Sequence, residues 1–470
     1  MMVKIKIRGR NLLKNAKPQP PPPEGPERIS LVLFFAVLFF LCSADQFFAI
    51  RVHGLNFRLG QALLLFCSIL SLRQIAGGIR NGSGEWRGLW KIAKNWVPFF
   101  LVYALAAGTS PSPGRTFLKE GWALFNIGGA LLLFSNPGWT LSLRKGIFWG
   151  ATALALTIWI QVVAIYLLGV TVVWPYPSAS QPLSVTWLHG FPLGFAQNTQ
   201  DSFGGVPILR PNAFYYEPSY AGCALAFALP LVLAIGKNGG FFGSAFAPAM
   251  VLSSVVLTSS RAGILGLGLG LGAGFIGSLF LGPKGLFTSL LKPTLLAALF
   301  LAIALLSPSV QKYAGFLLGP LGPSAIAARV NDPRLSEGGR VESFRKGLRS
   351  WGENPVLGSG SSAAAENHSG GLGVVSENMW LEIGIESGVL GFLAFAFALG
   401  RTVVEAAKRG ANQAVMLLAL SAIAVHLVVN MNFTMTFPRL DYWILFFLAI
   451  SLMARPATLG KPRRGKASSL

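Results

Sequence analysis

The chain has 470 residues, of which 53% are hydrophobic and only 12% are Asp, Glu, Lys or Arg, about half the roughly 25% charged fraction of ordinary soluble domains. Together with a mean hydropathy of +0.57, this excludes a soluble globular protein. The 39 Lys and Arg outnumber the 17 Asp and Glu, for a net charge of +22; in a chain this apolar the excess points to anionic headgroups and phosphates, not to nucleic acid.

Residues 1–28 carry seven basic side chains, Lys4, Lys6, Arg8, Arg10, Lys14, Lys17 and Arg28, and the Pro20 to Pro23 run, which forbids a helix interior. They read as a cytoplasmic basic arm. The apolar stretch from Ile29 ends in a Cys42-Ser-Ala sequence resembling a signal-peptide cleavage site, but the basic, proline-rich lead is long for such a signal. It is therefore read as the first span. Further apolar runs of membrane-crossing length begin near Leu55, Asn95, Lys119, Gly146, Pro218, Phe241, Ala262, Pro293, Met379, Ala411 and Leu440. The expectation is an all-α polytopic membrane protein of about twelve transmembrane helices. Residues 29–308 hold the first nine and an external loop at 170–217; residues 309–377 form a second, longer external loop; residues 378–455 hold the last three, and 456–470 form a basic cytoplasmic tail. Cys42, Cys67 and Cys223 are spaced too widely for a disulfide framework or zinc site and read as small packing residues.

With both termini cytoplasmic, 25 of the 39 basic residues fall on the inner side, as the positive-inside rule requires. The other 14 differ in kind: 11 are arginines, against a nearly even Lys to Arg ratio inside. Lysine suffices as a topological charge, whereas the guanidinium fork suits bidentate binding of phosphate or carboxylate. The outer face is thus expected to hold an anion. In the second external loop, Val341, Phe344, Leu348 and Trp351 recur at helical spacing over 339–351, opposite Glu342, Arg345, Lys346 and Arg349. This predicts an amphipathic helix lying in the membrane interface, Trp and Phe down.

Ionisable groups inside spans are costly and default to functional hypotheses. Asn378, Glu382 and Glu386 share one helical face, and Gly384, Gly388 and Gly391 allow another helix to approach closely; interhelical hydrogen bonding is the simpler reading for Glu382 and Glu386. Thr258-Ser259-Ser260-Arg261 sits at the outer boundary between the seventh and eighth spans, and Arg210 to Pro218 ends the first long loop. The alternating glycines of Leu265 to Gly274 lie mid-span with no strand before them and read as packing residues.

Arg210 to Pro218, Thr258 to Arg261, Arg340 through Trp351-Gly-Glu-Asn-Pro355-Val-Leu-Gly358-Ser-Gly360, and Glu377-Asn378-Met-Trp-Leu381 through Glu386-Ser-Gly388-Val-Leu-Gly391 together resemble the O-antigen ligase and O-antigen polymerase (Wzy) superfamily. The likeness is strongest over roughly Arg210 to Gly391. It implies a GT-C-like membrane glycosyltransferase of the bacterial inner membrane, acting on polyprenyl-diphosphate-linked glycan at the extracytoplasmic face. In the ligases the Asn-x-x-Leu helix start commonly follows a His; here that place is held by Glu377, with His368 nearby in a flexible loop.

Cleavage of a sugar to diphosphate bond puts negative charge on the leaving group, which preplaced arginines stabilise best in the transition state. The candidates are Arg210, Arg261, Arg340, Arg345 and Arg349. The acceptor hydroxyl must lose a proton, for which Glu377 is favoured, with Glu217 and His368 as alternatives. No cofactor is called for, and the sparse external carboxylates predict metal independence. The expected partners are a polyprenyl-diphosphate-linked oligosaccharide donor, a glycan or lipid-linked glycan acceptor, membrane lipids, and polysaccharide export or chain-length proteins. Polymerisation of repeat units ranks first. Transfer of a finished glycan to lipid A-core or another acceptor ranks second, chiefly because Glu377 replaces the His. A transporter of lipid-linked glycans is the alternative of another class.

Overall fold

The computed structural model describes residues 26–43, 49–52, 55–80, 86–110, 113–136, 138–168, 183–185, 196–203, 206–213, 215, 218–237, 239–281, 286–306, 336–360, 378–408, 412–433 and 439–454. Helices dominate. In chain order they are α1 (Pro26–Ser43), α2 (Leu59–Arg80), α3 (Trp86–Ala107), α4 (Pro113–Ser135), α5 (Thr140–Val162), α6 (Pro218–Gly236), α7 (Ala247–Leu257), α8 (Arg261–Leu281), α9 (Leu286–Ala304), α10 (Ser336–Glu353), α11 (Met379–Ala407), α12 (Gln413–Val425) and α13 (Leu440–Met453). Each expected span overlaps one of these helices, although α3 begins at Trp86, well before the expected start near Asn95. Six helical stretches are long and apolar enough to cross a membrane by length and composition: Leu59–Gly77, Thr116–Ser135, Thr140–Leu167, Pro218–Gly236, Met379–Ala407 and Gln413–Phe433. Five shorter apolar helices accompany them.

The connections add strands that hydropathy does not signal. β1 (Ala49–Val52) lies between β2 (Leu55–Arg58) and β3 (Leu183–Val185) in an antiparallel sheet, and β4 (Ala196–Phe203) pairs with β5 (Val206–Pro211). All five belong to the end of the bundle where α1 finishes and α6 begins, called the loop end below. Cys42, Cys67 and Cys223 are all buried and unbonded to one another.

Small residues set the helix spacings, as expected where close packing replaces the hydrophobic driving force. Gly146 and Gly150 of α5 press against Val32 to Phe39 of α1, and Gly222 of α6 meets Gly263 of α8 backbone to backbone. The alternating glycines of α8 divide by face. Gly266, Gly270, Gly274 and Gly277 lie against Val425, Ser421 and Leu417 of α12, while Gly268 and Gly272 have nothing within 4 Å. At the centre, the buried Trp96 of α3 is ringed by Phe99, Phe395, Trp443, Phe446 and Phe447 at centroid distances of 5.7 to 6.5 Å. Its Nε1 donates to Thr402 Oγ1 at 3.1 Å. One indole thus ties α3, α11 and α13 and satisfies its own polar atom, as a buried Trp must.

The amphipathic helix is present as α10, longer than its stripe suggested. Phe344 and Leu348 are exposed, but Trp351 leaves the stripe. It packs on Gly384 and on Phe392 of α11, at 5.7 Å between rings. Gly347 likewise meets Leu381 and Ile385, so α10 is seated on α11.

α11 is not one continuous helix. Gly388 adopts φ 64°, ψ −169°, a conformation essentially confined to glycine, and the segment after α10 fills the break. Ser359 and Gly360 donate their N–H groups to the carbonyls of Ile385 and Glu386, each at 2.9 Å, while Val389 and Leu390 donate to Pro355 and Val356 at 2.8 and 3.3 Å. A Cβ on Gly388 would fall 2.2 Å from the Val356 carbonyl oxygen. Gly388→Ala is expected to cost about 1 to 3 kcal/mol from the backbone conformation alone, seen as a lowered unfolding temperature of the detergent-solubilised protein. An unchanged melting curve would show that the docked segment is dispensable.

Candidate functional site

The loop end is built from four corners. At the first, Asn212 and Ala213, following β5, donate their N–H groups to Gln161 Oε1 of α5 at 3.1 and 3.0 Å. Asn212 Nδ2 donates to the Tyr215 carbonyl at 2.7 Å, closing a turn in which Ala213 has φ 46°. Arg210 lies just upstream in β5, its backbone paired with Gln197.

At the second corner, Thr258 ends α7, Ser259 takes φ 54°, and Ser260 caps α8 by accepting from the Gly263 N–H at 2.9 Å. Arg261 is the first residue of α8 and is exposed. A cation at a helix N-terminus opposes the macrodipole by typically 0.3 to 1 kcal/mol. An anion held at this corner would offset that cost. Gly222 of α6 packs directly on Thr258 and Ser260.

The third corner was not anticipated from the sequence. Arg439, which precedes α13, and Asp441 in its first turn are buried, at 6% and 0% exposure, and pair through two contacts, Nε to Oδ1 at 3.2 Å and Nη2 to Oδ2 at 3.3 Å. Arg439 Nη2 also donates to the Ser43 carbonyl at the end of α1, 3.2 Å away. Its guanidinium lies 4.7, 5.2 and 5.8 Å from the ring centroids of Tyr215, Tyr220 and Tyr442. Tyr215 Oη donates to Asp441 Oδ2 at 3.0 Å. Burial, and secondarily the Asp441 carboxylate, hold the Tyr215 phenol well above the ordinary tyrosine range, so it stays a donor. The signal was a carboxylate inside the last apolar run, an expensive placement, two residues after an arginine.

The fourth corner joins α11 to α3, α4 and α12. Asn378 caps α11 by accepting from the Leu381 N–H at 2.9 Å, and its Nδ2 donates to Asn432 Oδ1 at 3.0 Å. Asn432 and Trp380 both donate to the Leu427 carbonyl within the π-helical turn His426–Asn430, such turns being frequent at functional sites. Glu386 is buried and accepts from Tyr103 Oη at 2.5 Å. Thr109 donates to the Gly358 carbonyl at 3.2 Å, and Gly360 packs on Ser110 and Thr116. Glu386 thus serves as an interhelical acceptor, the simpler of its two readings.

The expected site residues fall into three groups. Arg261 is joined through α6 to the corner that follows Arg210: Gly222 touches the Arg261 corner, while Tyr220 lies under Arg439, which also faces Tyr215. Arg340, Arg345 and Arg349 belong to α10; Arg345 and Arg349 are exposed, and beside them Glu342 lies 4.0 Å from Lys346. Glu377, Glu217 and His368 lie outside the described residues. Among the described residues no three His, Cys, Asp or Glu side chains form a group that would hold a metal ion.

Asp441→Ala would remove the carboxylate that pairs with the buried Arg439, which typically costs about 3 to 5 kcal/mol. The expected outcome is strongly reduced membrane abundance or melting temperature. Replacing both partners, with Arg439→Met and Asp441→Leu, should be milder than the single change. The raised Tyr215 pKa has a matching sign: its contribution is fully present below the ordinary tyrosine value of 10.0 and is lost as pH rises beyond it. Melting temperatures followed into alkali should therefore fall more steeply in wild type than in Tyr215→Phe.

No curated protein matches the chain. Residues 246–396, from the π-helical turn before α7 through the docked segment and the break in α11, match the O-antigen ligase family model, Wzy_C. That stretch contains the Arg261 corner, α10 and the Gly388 junction, three of the four sequence segments that carried the resemblance. The match supports glycan transfer of the ligase or polymerase type, and it likens residues 246–396 to the O-antigen ligase and polymerase (Wzy) superfamily.

Proposed function

We propose that the protein is a polysaccharide polymerase that transfers glycan from a polyprenyl-diphosphate-linked donor to a sugar hydroxyl at the outer face of the bacterial inner membrane. The observation that carries this reading is Arg261, exposed at the first position of α8 behind the positive-φ Ser259, inside the stretch that matches the family. Residues held in sparsely populated backbone conformations cluster at ligand-binding sites. Here such a residue presents a guanidinium and a positive helix end together. All twelve apolar helices span the membrane in this reading, both termini are cytoplasmic, and the loop end faces outward, in keeping with its arginine-rich charge.

In the reaction the bond between the donor's anomeric carbon and the diphosphate oxygen breaks, and the diphosphate keeps the electron pair. Arg261 and Arg210 on one side, with Arg340, Arg345 and Arg349 of α10 on the other, stabilise that charge. Such donors act without reorganising when they are held in place beforehand, and the seating of α10 on α11 supplies that rigidity. The acceptor oxygen forms the new bond to the anomeric carbon and gives its proton to Glu377, with Glu217 and His368 as alternatives. Glu377 directly precedes Asn378, the capped start of α11. No metal is required in this scheme.

The description of the matched family, O-antigen ligase, favours a second reading: transfer of a finished glycan to lipid A-core or another acceptor. One experiment separates the two. Purified protein is reconstituted in liposomes with a fluorescent undecaprenyl-diphosphate oligosaccharide and EDTA, and the products are resolved by size. A ladder of multiples is expected; a single product formed only on added lipid A-core would establish the ligase. Donor movement across the bilayer without covalent product would replace both with a transporter, and activity abolished by EDTA and restored by Mn²⁺ would reject metal independence.

In the same assay Arg261→Lys keeps the charge and loses the fork. Turnover should fall at least about tenfold at normal membrane abundance, a modest loss for a preorganised donor. Wild-type rates would remove Arg261 from the diphosphate. Glu377→Gln should lower turnover while donor binding stays largely unchanged; lost donor binding would make Glu377 a binding residue instead.

A further inference from the structure

The end of the bundle opposite the loop end holds a cavity of about 670 Å³, bounded by the starts of α1, α5 and α12, the approach to α7 and the ends of α6 and α13. Among the described residues, its lining is apolar apart from Arg144, Lys145 and Asn412, and none of those residues is acidic. The two basic groups sit in the second turn of α5, near the ends of the surrounding helices. At its mouth, Ile29, Leu141, Trp149 and Phe242 are 60%, 56%, 46% and 62% exposed, an apolar rim that opens toward hydrocarbon in a membrane protein.

Two features give the cavity a positive interior. Arg144 donates from Nε to Ser451 Oγ at 3.1 Å and from Nη2 to the Ser451 carbonyl, so it is held in place by α13. The N-termini of α5 and α12 also border the cavity, through Leu141 and Asn412, and helix N-termini favour anions. We infer that this cavity is a binding site for an anionic phospholipid, its phosphate beside Arg144 and Lys145 and its acyl chains along the apolar rim.

The alternatives fit less well. A free phosphate or other soluble anion leaves the large apolar lining without a partner. The chain's own terminal segments, 1–25 and 455–470, are basic and would bring like charge to a basic pocket. Basic pockets between transmembrane helices on the cytoplasmic side are a recurrent setting for anionic headgroups. The cavity is separate from the loop-end corners, and its occupancy does not depend on the glycan-transfer reading.

The test is native mass spectrometry of the full-length protein with phosphatidylglycerol and phosphatidylcholine of matched chains, measured without any glycan substrate. Wild type should retain phosphatidylglycerol preferentially. Lys145→Gln should reduce that preference about fivefold, the effect of roughly one basic group near a headgroup. Val415→Trp, which fills the cavity from α12, should reduce retention of the same lipid by a similar factor, with melting temperature confirming that each variant is folded. Equal retention of the two lipids by wild type would overturn the inference. So would a preference unchanged in folded Val415→Trp or Lys145→Gln, which would place the lipid elsewhere, and displacement of the bound lipid by millimolar inorganic phosphate would assign the cavity to a soluble anion.

Discussion

The main chain of residues 355–360, inserted where α11 breaks at Gly388, is the interaction on which the loop end of the molecule depends. Backbone polar groups in a membrane protein must find partners within the protein, and non-helical main chain is tolerated there only when it is buried in protein or lines a water-filled cavity. Four hydrogen bonds from the inserted segment meet that demand on both sides of the break. The same insertion brings Gly358 and Gly360 against Thr109, Ser110 and Thr116, and it orients α10, whose Trp351 and Gly347 rest on α11. Helix α10 is thereby anchored at its C-terminal end. Residues 336–360 thus form a seated platform that carries arginines, and the proposed role of those arginines rests on such preorganisation.

A second constraint acts at the start of α13. Arg439 and Asp441 are removed from water, and such a pair is tolerated only with good geometry and further hydrogen bonds. Ser43, Tyr215 and three aromatic faces supply them. The pair joins the end of α1, the corner before α6 and the head of α13. Through Gly222 the same helix α6 supports the strained corner that presents Arg261. Arg261, Arg345 and Arg349, three of the charges proposed to meet substrate, are exposed, while the buried Arg439 and Asp441 tie together the elements at this end.

The two ends of the bundle use basic residues differently. At the loop end the prominent groups are arginines on corners and on α10. At the opposite end Arg144 and Lys145 border an apolar cavity that several helix termini share. Both arrangements are proposed to meet phosphate, the first as a reacting diphosphate and the second as a lipid headgroup. In these proposals the two sites would not compete, because the bundle separates them.

Much was legible in the sequence by itself. Hydropathy runs located the helices, since each span must be apolar over its own length, and the small buried cysteines and the packing role of the α8 glycines follow from local composition. The helical stripe of α10 was visible for the same reason: helical periodicity operates over neighbouring residues, whereas Asn378, read as part of a helical face, turned out to cap α11. The family segment was legible from the order of its motifs. Only the tertiary structure decided that Glu386 accepts from Tyr103, 283 residues away, that Trp351 packs on Phe392, and that Asp441 belongs with Arg439, Tyr215 and Ser43. Strand pairing in the loops was equally hidden, because β1 and β3 are joined across four helices. These are pairings between groups distant in the chain. Whether a buried carboxylate or indole is tolerated depends on the partner that the fold brings to it, and no local pattern specifies that partner.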